Sequence, residues 1–152
     1  METSLKKWYE RPYRSCQVNF TEVDPLLCDV AFFQKFWRDN HITCTVINAA
    51  GIVSYFPSQN PMVYRSSHLG NRDLFGEFIQ AAKEEGLSTL ARMDISKATE
   101  AFYQERPDCF ARDIDGNPFK YLDRYLTCVN SPYYKEYIPG LLYSIATPSE
   151  LK

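Results

Sequence analysis

The chain has 152 residues, 45% of them apolar and 24% charged, which suits one ordinary domain or a piece of a larger one. A net charge of −2 and a pI near 5.7 give no electrostatic footing for nucleic acid or an anionic membrane as partner. No run of 18 apolar residues exists to span a bilayer, and "METSLKKWYERPYRS" lacks the apolar core of a signal peptide, so a cytoplasmic location is expected.

The first strand-like run is "CQVNF" (16–20). Asp24 follows as an expected N-cap with Pro25 at the first helical position. Leu26, Val30, Phe33 and Trp37 then recur at helical spacing as far as Asp39, with Leu27 and Ala31 widening the stripe and Asn40 as the stop. "ITCTVINAAG" (42–51) reads as a second strand. About twenty residues with two prolines and no helical period come next, a length that in compact domains usually marks a functional or disordered segment. Tyr55, Phe56, Tyr64 and Leu69 within it favour order.

A second helix is predicted from Asn71–Asp73 through "LFGEFIQAAKEEG", burying Leu74, Phe78 and Ala82 and ending at Gly86. "LSTLARMD" (87–94) reads as a buried third strand. The order strand, helix, strand, helix, strand, with short αβ and long βα connections, predicts an α/β fold with a parallel sheet. Beyond Asp94, "KATEAFYQERPD" suggests a short helix. "CFARDIDGNPFKYL" suggests a β-hairpin inserted after strand 3, turning at Asp115-Gly116. "YLTCVN" (125–130) reads as extended, and Ser131-Pro132 opens a last helix that Pro139 would kink.

In parallel α/β folds ligands bind at the carboxyl ends of the strands, where the long loops lie. Those ends are Asn19, Asn48 and Asp94, all polar. Arg92 and Asp94 stand two apart on one strand and therefore point the same way. They make either an ion pair tying the strand end to a loop, or a site in which Asp94 accepts from a sugar hydroxyl while Arg92 holds it oriented. Aromatic residues are 15% of the chain, as core packing or as rings lining a groove, and Tyr55 and Tyr64 are the stacking candidates. His68, beside Arg65 and Arg72, is expected at the ligand, whereas His41 reads as a solvated cap. The five cysteines (Cys16, Cys28, Cys44, Cys109, Cys128) contain no CxxC, so reduced thiols and no zinc site are expected. With no glycine-rich phosphate loop and no GxSxG, the sequence calls for no nucleotide and no other cofactor.

The stretch "INAAGIVSYFPSQNP…HLGNRDLFGEFIQAAKEEGLSTLARMDIS" resembles the N-terminal half of the hypothetical glycosyl hydrolase 6 family, and more distantly α-L-fucosidase and α-amylase-type barrels. "TCVNSPYYKEYI", with Cys128, Asn130 and Pro132, resembles a later family element. The resemblance implies the N-terminal portion of a (β/α)8 TIM-type barrel over residues 16–145, between an extension (1–15) and a tail (146–152). It implies a carbohydrate-active protein, a fragment or truncated relative of a glycoside hydrolase. Its sugar-binding residues would be Asn19, Asn48, Tyr55, Tyr64, His68, Arg92 and Asp94. No catalytic pair is expected in this chain: Asp94 is the one candidate carboxylate and Glu22 a poor second. The alternative is a non-catalytic sugar-binding or assembly module that self-associates or pairs with another half-barrel. A complete flavodoxin-like domain is a third reading, opposed by the missing phosphate loop.

Overall fold

The computed structural model describes residues 7–10, 13–58, 60 and 63–146. Of the expected extension, 1–6 and 11–12 lie outside the described residues; of the expected tail, only Ala146 lies within them. Three parallel strands, β1 (Ser15–Val18), β2 (Cys44–Gly51) and β3 (Ser88–Asp94), pair in sequence order, β1-β2-β3. Helices α1 (Val30–Asp39) and α2 (Leu74–Glu84) connect them and pack on each other. Phe33 and Trp37 of α1 meet Phe78 of α2 edge-on, with ring centres 5.0 and 6.0 Å apart. Leu74, Phe78, Ala81 and Ala82 are buried, and each large apolar side chain so placed stabilises by roughly 1.5–3 kcal/mol.

The first helix starts later than its pattern suggests. The Asp24 carboxylate turns backwards to accept the Thr21 N–H at 2.5 Å, and its carbonyl accepts from Leu27 and Cys28. That makes a separate 3₁₀ turn, Asp24–Leu26, and leaves the capping to Asp29, which accepts the Ala31 N–H at 2.9 Å. Leu26, Leu27 and Ala31 are therefore exposed and do not belong to the buried stripe. At the second helix Asp73 is the cap, accepting from the Gly76 N–H at 2.8 Å.

The third strand differs from its reading as a buried strand. β2 separates it from β1, and its other edge is open among the described residues, so Leu90 and Ala91 are exposed.

A second, antiparallel sheet follows, in the order β4-β6-β5: β4 is Lys97–Thr99, β5 Lys120–Tyr121 and β6 Arg124–Leu126. The expected helix over "KATEAFYQERPD" thus gives up its first residues to β4, and only α3 (Glu100–Glu105) remains, capped by Thr99. The regular ladder turns at Leu122-Asp123. Around Asp115-Gly116 there is an isolated bridge, Arg112 to Pro118, over a loop organised by the Asp113 carboxylate, which accepts from Asp115 and Asn117. After Ser131 the chain winds as a wide π turn, Tyr133–Tyr137, before α4 (Ile138–Ala146). A proline at 139 lacks an N–H and crowds the preceding turn, and the wider turn absorbs it.

Aromatic side chains close this second half. Phe102 has Tyr64, Phe110, Tyr133 and Tyr137 around it at centroid distances of 4.9–6.0 Å. The Tyr133 hydroxyl is buried without a hydrogen-bond partner among the described residues. Tyr133→Phe, which removes that polar atom and keeps the ring, is expected to stabilise the fold by about 1 kcal/mol in urea denaturation; a loss of that size would reveal a partner for the hydroxyl. Gly51 has φ +134°, and a methyl group there would overlap the main chain of Asp94. Gly51→Ala is accordingly expected to cost on the order of 3 kcal/mol in the same assay, and unchanged stability would contradict this close approach.

Candidate functional site

The register aligns the polar strand ends into one row. Val18 pairs with Ile47 and Asn48 with Arg92, which sets Asn19 beside Asn48 and Asn48 beside Arg92. The Arg92 guanidinium (Nη1) donates to Asn19 Oδ1 at 3.1 Å and to Asn48 Oδ1 at 3.5 Å, and its Nη2 lies 3.6 Å from Asp94 Oδ2. Asp94 Oδ1 also accepts from the Ser96 hydroxyl at 3.1 Å. The two are ion-paired, and both line an open cavity of about 530 Å³.

A β-bulge shapes this end of the sheet. Ala49 is the extra residue in β2, so Ala50 and Gly51, not Ala49 and Ala50, oppose Met93 and Asp94. Bulges re-aim side chains where they occur. Here the bulge and the glycine together let β2 stay paired with β3 as far as Asp94.

The facing wall comes from the loop after β1 and from β6. Glu22 and Arg124 form an ion pair across 102 residues of sequence, and Arg124 also holds Asp123 at 2.8 Å. Ser66 donates to the Glu22 carbonyl at 2.6 Å, fixing that loop from a second side. Glu22 and Arg124 line the same cavity as Arg92 and Asp94. Each carboxylate is already engaged by a guanidinium, an arrangement that offers acceptors and donors in pairs to a polyhydroxylated ligand.

Of the expected ligand residues, Asn19, Asn48, Tyr55, Arg92 and Asp94 come together here. Tyr55 does so differently from a stacking ring. It is buried, edge-on to Phe20 at 5.0 Å, and its hydroxyl donates to the Phe20 carbonyl at 3.1 Å. Burial pushes its phenol well above the usual tyrosine range, and the charges of Glu22 and Asp24 add to that. Tyr64 lies elsewhere, in the Phe102 cluster, donating to Glu105 at 2.6 Å. His68 is exposed and is not part of the cavity wall. Its neighbours have structural partners: Arg65 donates to the Gly70 carbonyl, and Arg72 braces the loop before α1 through the carbonyls of Pro25 and Cys28 while pairing with Glu77. Arg124 had no local signal. Its place follows only from the pairing of β6 with β4.

The five cysteines are free thiols. Among the described residues, no group of three or more His, Cys, Asp or Glu side chains is placed to hold a metal ion, and no helix is long and apolar enough to cross a membrane.

Comparison with solved structures gives the same architecture. Alpha-L-fucosidase isoenzyme 2 from Paenibacillus thiaminolyticus superposes with a TM-score of 0.67 at 22% identity, covering 89% of this chain and 22% of that one. A noncanonic maltogenic alpha-amylase, AmyB, from Thermotoga neapolitana superposes with a TM-score of 0.51 at 16% identity, covering 80% of this chain and 32% of that one. The chain therefore spans about a fifth to a third of these structures. Among curated proteins no sequence matches it significantly. The family model described as hypothetical glycosyl hydrolase 6 matches residues 30–145, and the chain belongs to that family.

Proposed function

We propose that this carbohydrate-active chain supplies the first strands of a glycoside-hydrolase (β/α)8 barrel, and that its strand ends form one side of a sugar-binding cleft. The observation that carries this reading is the Asn19–Asn48–Arg92 row with Asp94, at the carboxyl ends of three parallel strands and open to a ligand-sized cavity. In it Asp94 accepts from sugar hydroxyls. Arg92 orients that carboxylate and, by donating to the side-chain oxygens of Asn19 and Asn48, leaves the Asn19 amide N–H groups to donate, while the Asn48 side chain also bonds the Tyr55 hydroxyl.

Sequential parallel strands joined by helices that pack together are the repeating unit of such a barrel. The open edge of β3 and the small share of the two glycosidases that is covered support a fragment of a larger domain. Hydrolysis needs two carboxyl groups flanking the glycosidic bond. Both carboxylates at this cavity, Asp94 and Glu22, carry guanidinium partners, so we assign binding to this chain and the acid/base and nucleophile to strands outside it. A non-catalytic module that pairs with another half-barrel is the second reading. It is favoured by the exposed apolar residues Leu27, before the first helix, Phe32 and Phe36 on it, and Leu90 on β3.

Asp94→Asn is expected to keep the fold, because its side chain is one-third exposed, and to weaken saccharide binding about tenfold by calorimetry. Equal affinity in the variant and the parent would remove the cleft from the sugar site. The isolated chain is expected to release no 4-nitrophenol from aryl α-L-fucoside or α-glucoside. Turnover that survives purification and is lost in Asp94→Asn would instead place the chemistry within these 152 residues.

A further inference from the structure

The antiparallel sheet has a core face and an outer face. Ala98 and Tyr125, opposed in the register, are buried in the aromatic core. Lys97, Thr99, Tyr121 and Arg124, at the alternate positions, share the other face. The ladder runs on past β5, because the Leu126 N–H donates to the Phe119 carbonyl at 3.0 Å, so Phe119 joins Tyr121 on that face. Their Cα atoms are about 6.7 Å apart along the strand.

Both rings are turned to solvent, Phe119 48% and Tyr121 59% exposed, on the face opposite the buried Tyr125. Lys97 Nζ lies 5.3 Å from the centre of the Tyr121 ring and steadies it. Arg124, directly opposite Tyr121, carries the same face into the cavity, where it meets Glu22. Directly opposed residues have Cβ atoms roughly 5 Å apart. The Tyr121 ring is therefore a cross-strand neighbour of a residue in the cavity wall.

We infer that Phe119 and Tyr121 form an aromatic platform that extends the cleft and stacks further units of a neutral oligosaccharide. The inference rests on the sugar-binding reading of the cleft. The ligand is a saccharide because the surface alternates flat apolar rings with paired donors and acceptors, which match the apolar faces and hydroxyl edges of a sugar chain. It is neutral because Arg92 and Arg124 are neutralised by Asp94 and Glu22, leaving no unbalanced charge at the cavity. The same balance disfavours a nucleic acid strand, which stacking alone would also suit.

The test is binding of the purified chain to an array of neutral saccharides one to six units long, including L-fucosylated and α-1,4-glucosyl chains. Affinities are then measured by calorimetry on the best chain and on its terminal monosaccharide. The parent is expected to bind the chain at least tenfold tighter than the monosaccharide. Tyr121→Ala and Phe119→Ala are expected to abolish that gain and leave monosaccharide affinity unchanged, whereas Tyr121→Phe keeps it. Asp94→Asn weakens both ligands. If the alanine variants bind the chain as the parent does while Asp94→Asn fails to, the platform is wrong and the cleft stands. If they change self-association by light scattering and not sugar binding, the rings are a protein interface and the inference is overturned. If the parent binds nothing on the array, platform and cleft fall together.

Discussion

The site depends on how one guanidinium is satisfied. Arg92, one-third exposed, sits on a strand whose outer edge is open among the described residues, and takes one partner from each parallel strand or its end: Asn19 just past β1, Asn48 within β2 and Asp94 at the end of β3. A charge pair this exposed, at 3.6 Å, contributes at most about 1 kcal/mol to stability. The apolar side chains beneath it, such as Ile47, Leu74 and Phe78, contribute roughly 1.5–3 kcal/mol each. The fold thus does not need the polar row, and the row needs the fold. That asymmetry is the physical reason for reading it as a site rather than as scaffold.

Two backbone features decide where the row ends. The bulge at Ala49 adds a residue to β2, and Gly51, at φ +134°, lies where a side chain would strike the Asp94 main chain. Together they keep β2 and β3 paired to their last residues, so Asp94 is carried on a ladder and not on a loose loop. A carboxylate on a paired strand end is held more firmly than one on a loop, which is what a polar ligand with fixed hydroxyl geometry requires.

What was legible in the sequence was what periodicity and strand ends control. The parallel order, the turn at Gly86, and Asn19 and Asp94 at the ends of their strands follow from local pattern, whereas β2 runs three residues beyond Asn48, to Gly51. What stayed hidden was set by competition between neighbours or by distant pairing. Asp24 and Asp29 are both good caps, and only the Thr21 N–H, which captures Asp24, decides between them. Tyr55 and Tyr64 share a loop with the cavity, yet the Phe20 and Phe102 clusters claim their rings. Glu22 and Arg124 meet across 102 residues, a contact no local pattern encodes. The tyrosines at 55 and 121 look alike in sequence and end in opposite environments, because one follows a buried strand and the other an exposed hairpin.

The open edge of β3 bears on the cleft as well as on the sheet. Parallel sheets are ordinarily covered on both faces and paired on both sides, because the crossover helices that build them bring that cover with them. Here Leu90 and Ala91 are exposed on the strand that also carries Arg92 and Asp94. In the proposed barrel, a further strand laid along this edge pairs the backbone of β3, buries Leu90 and raises the missing wall beside Asp94 in one step. In that proposed barrel, pairing the edge of β3 and walling the cavity beside Asp94 become one structural requirement.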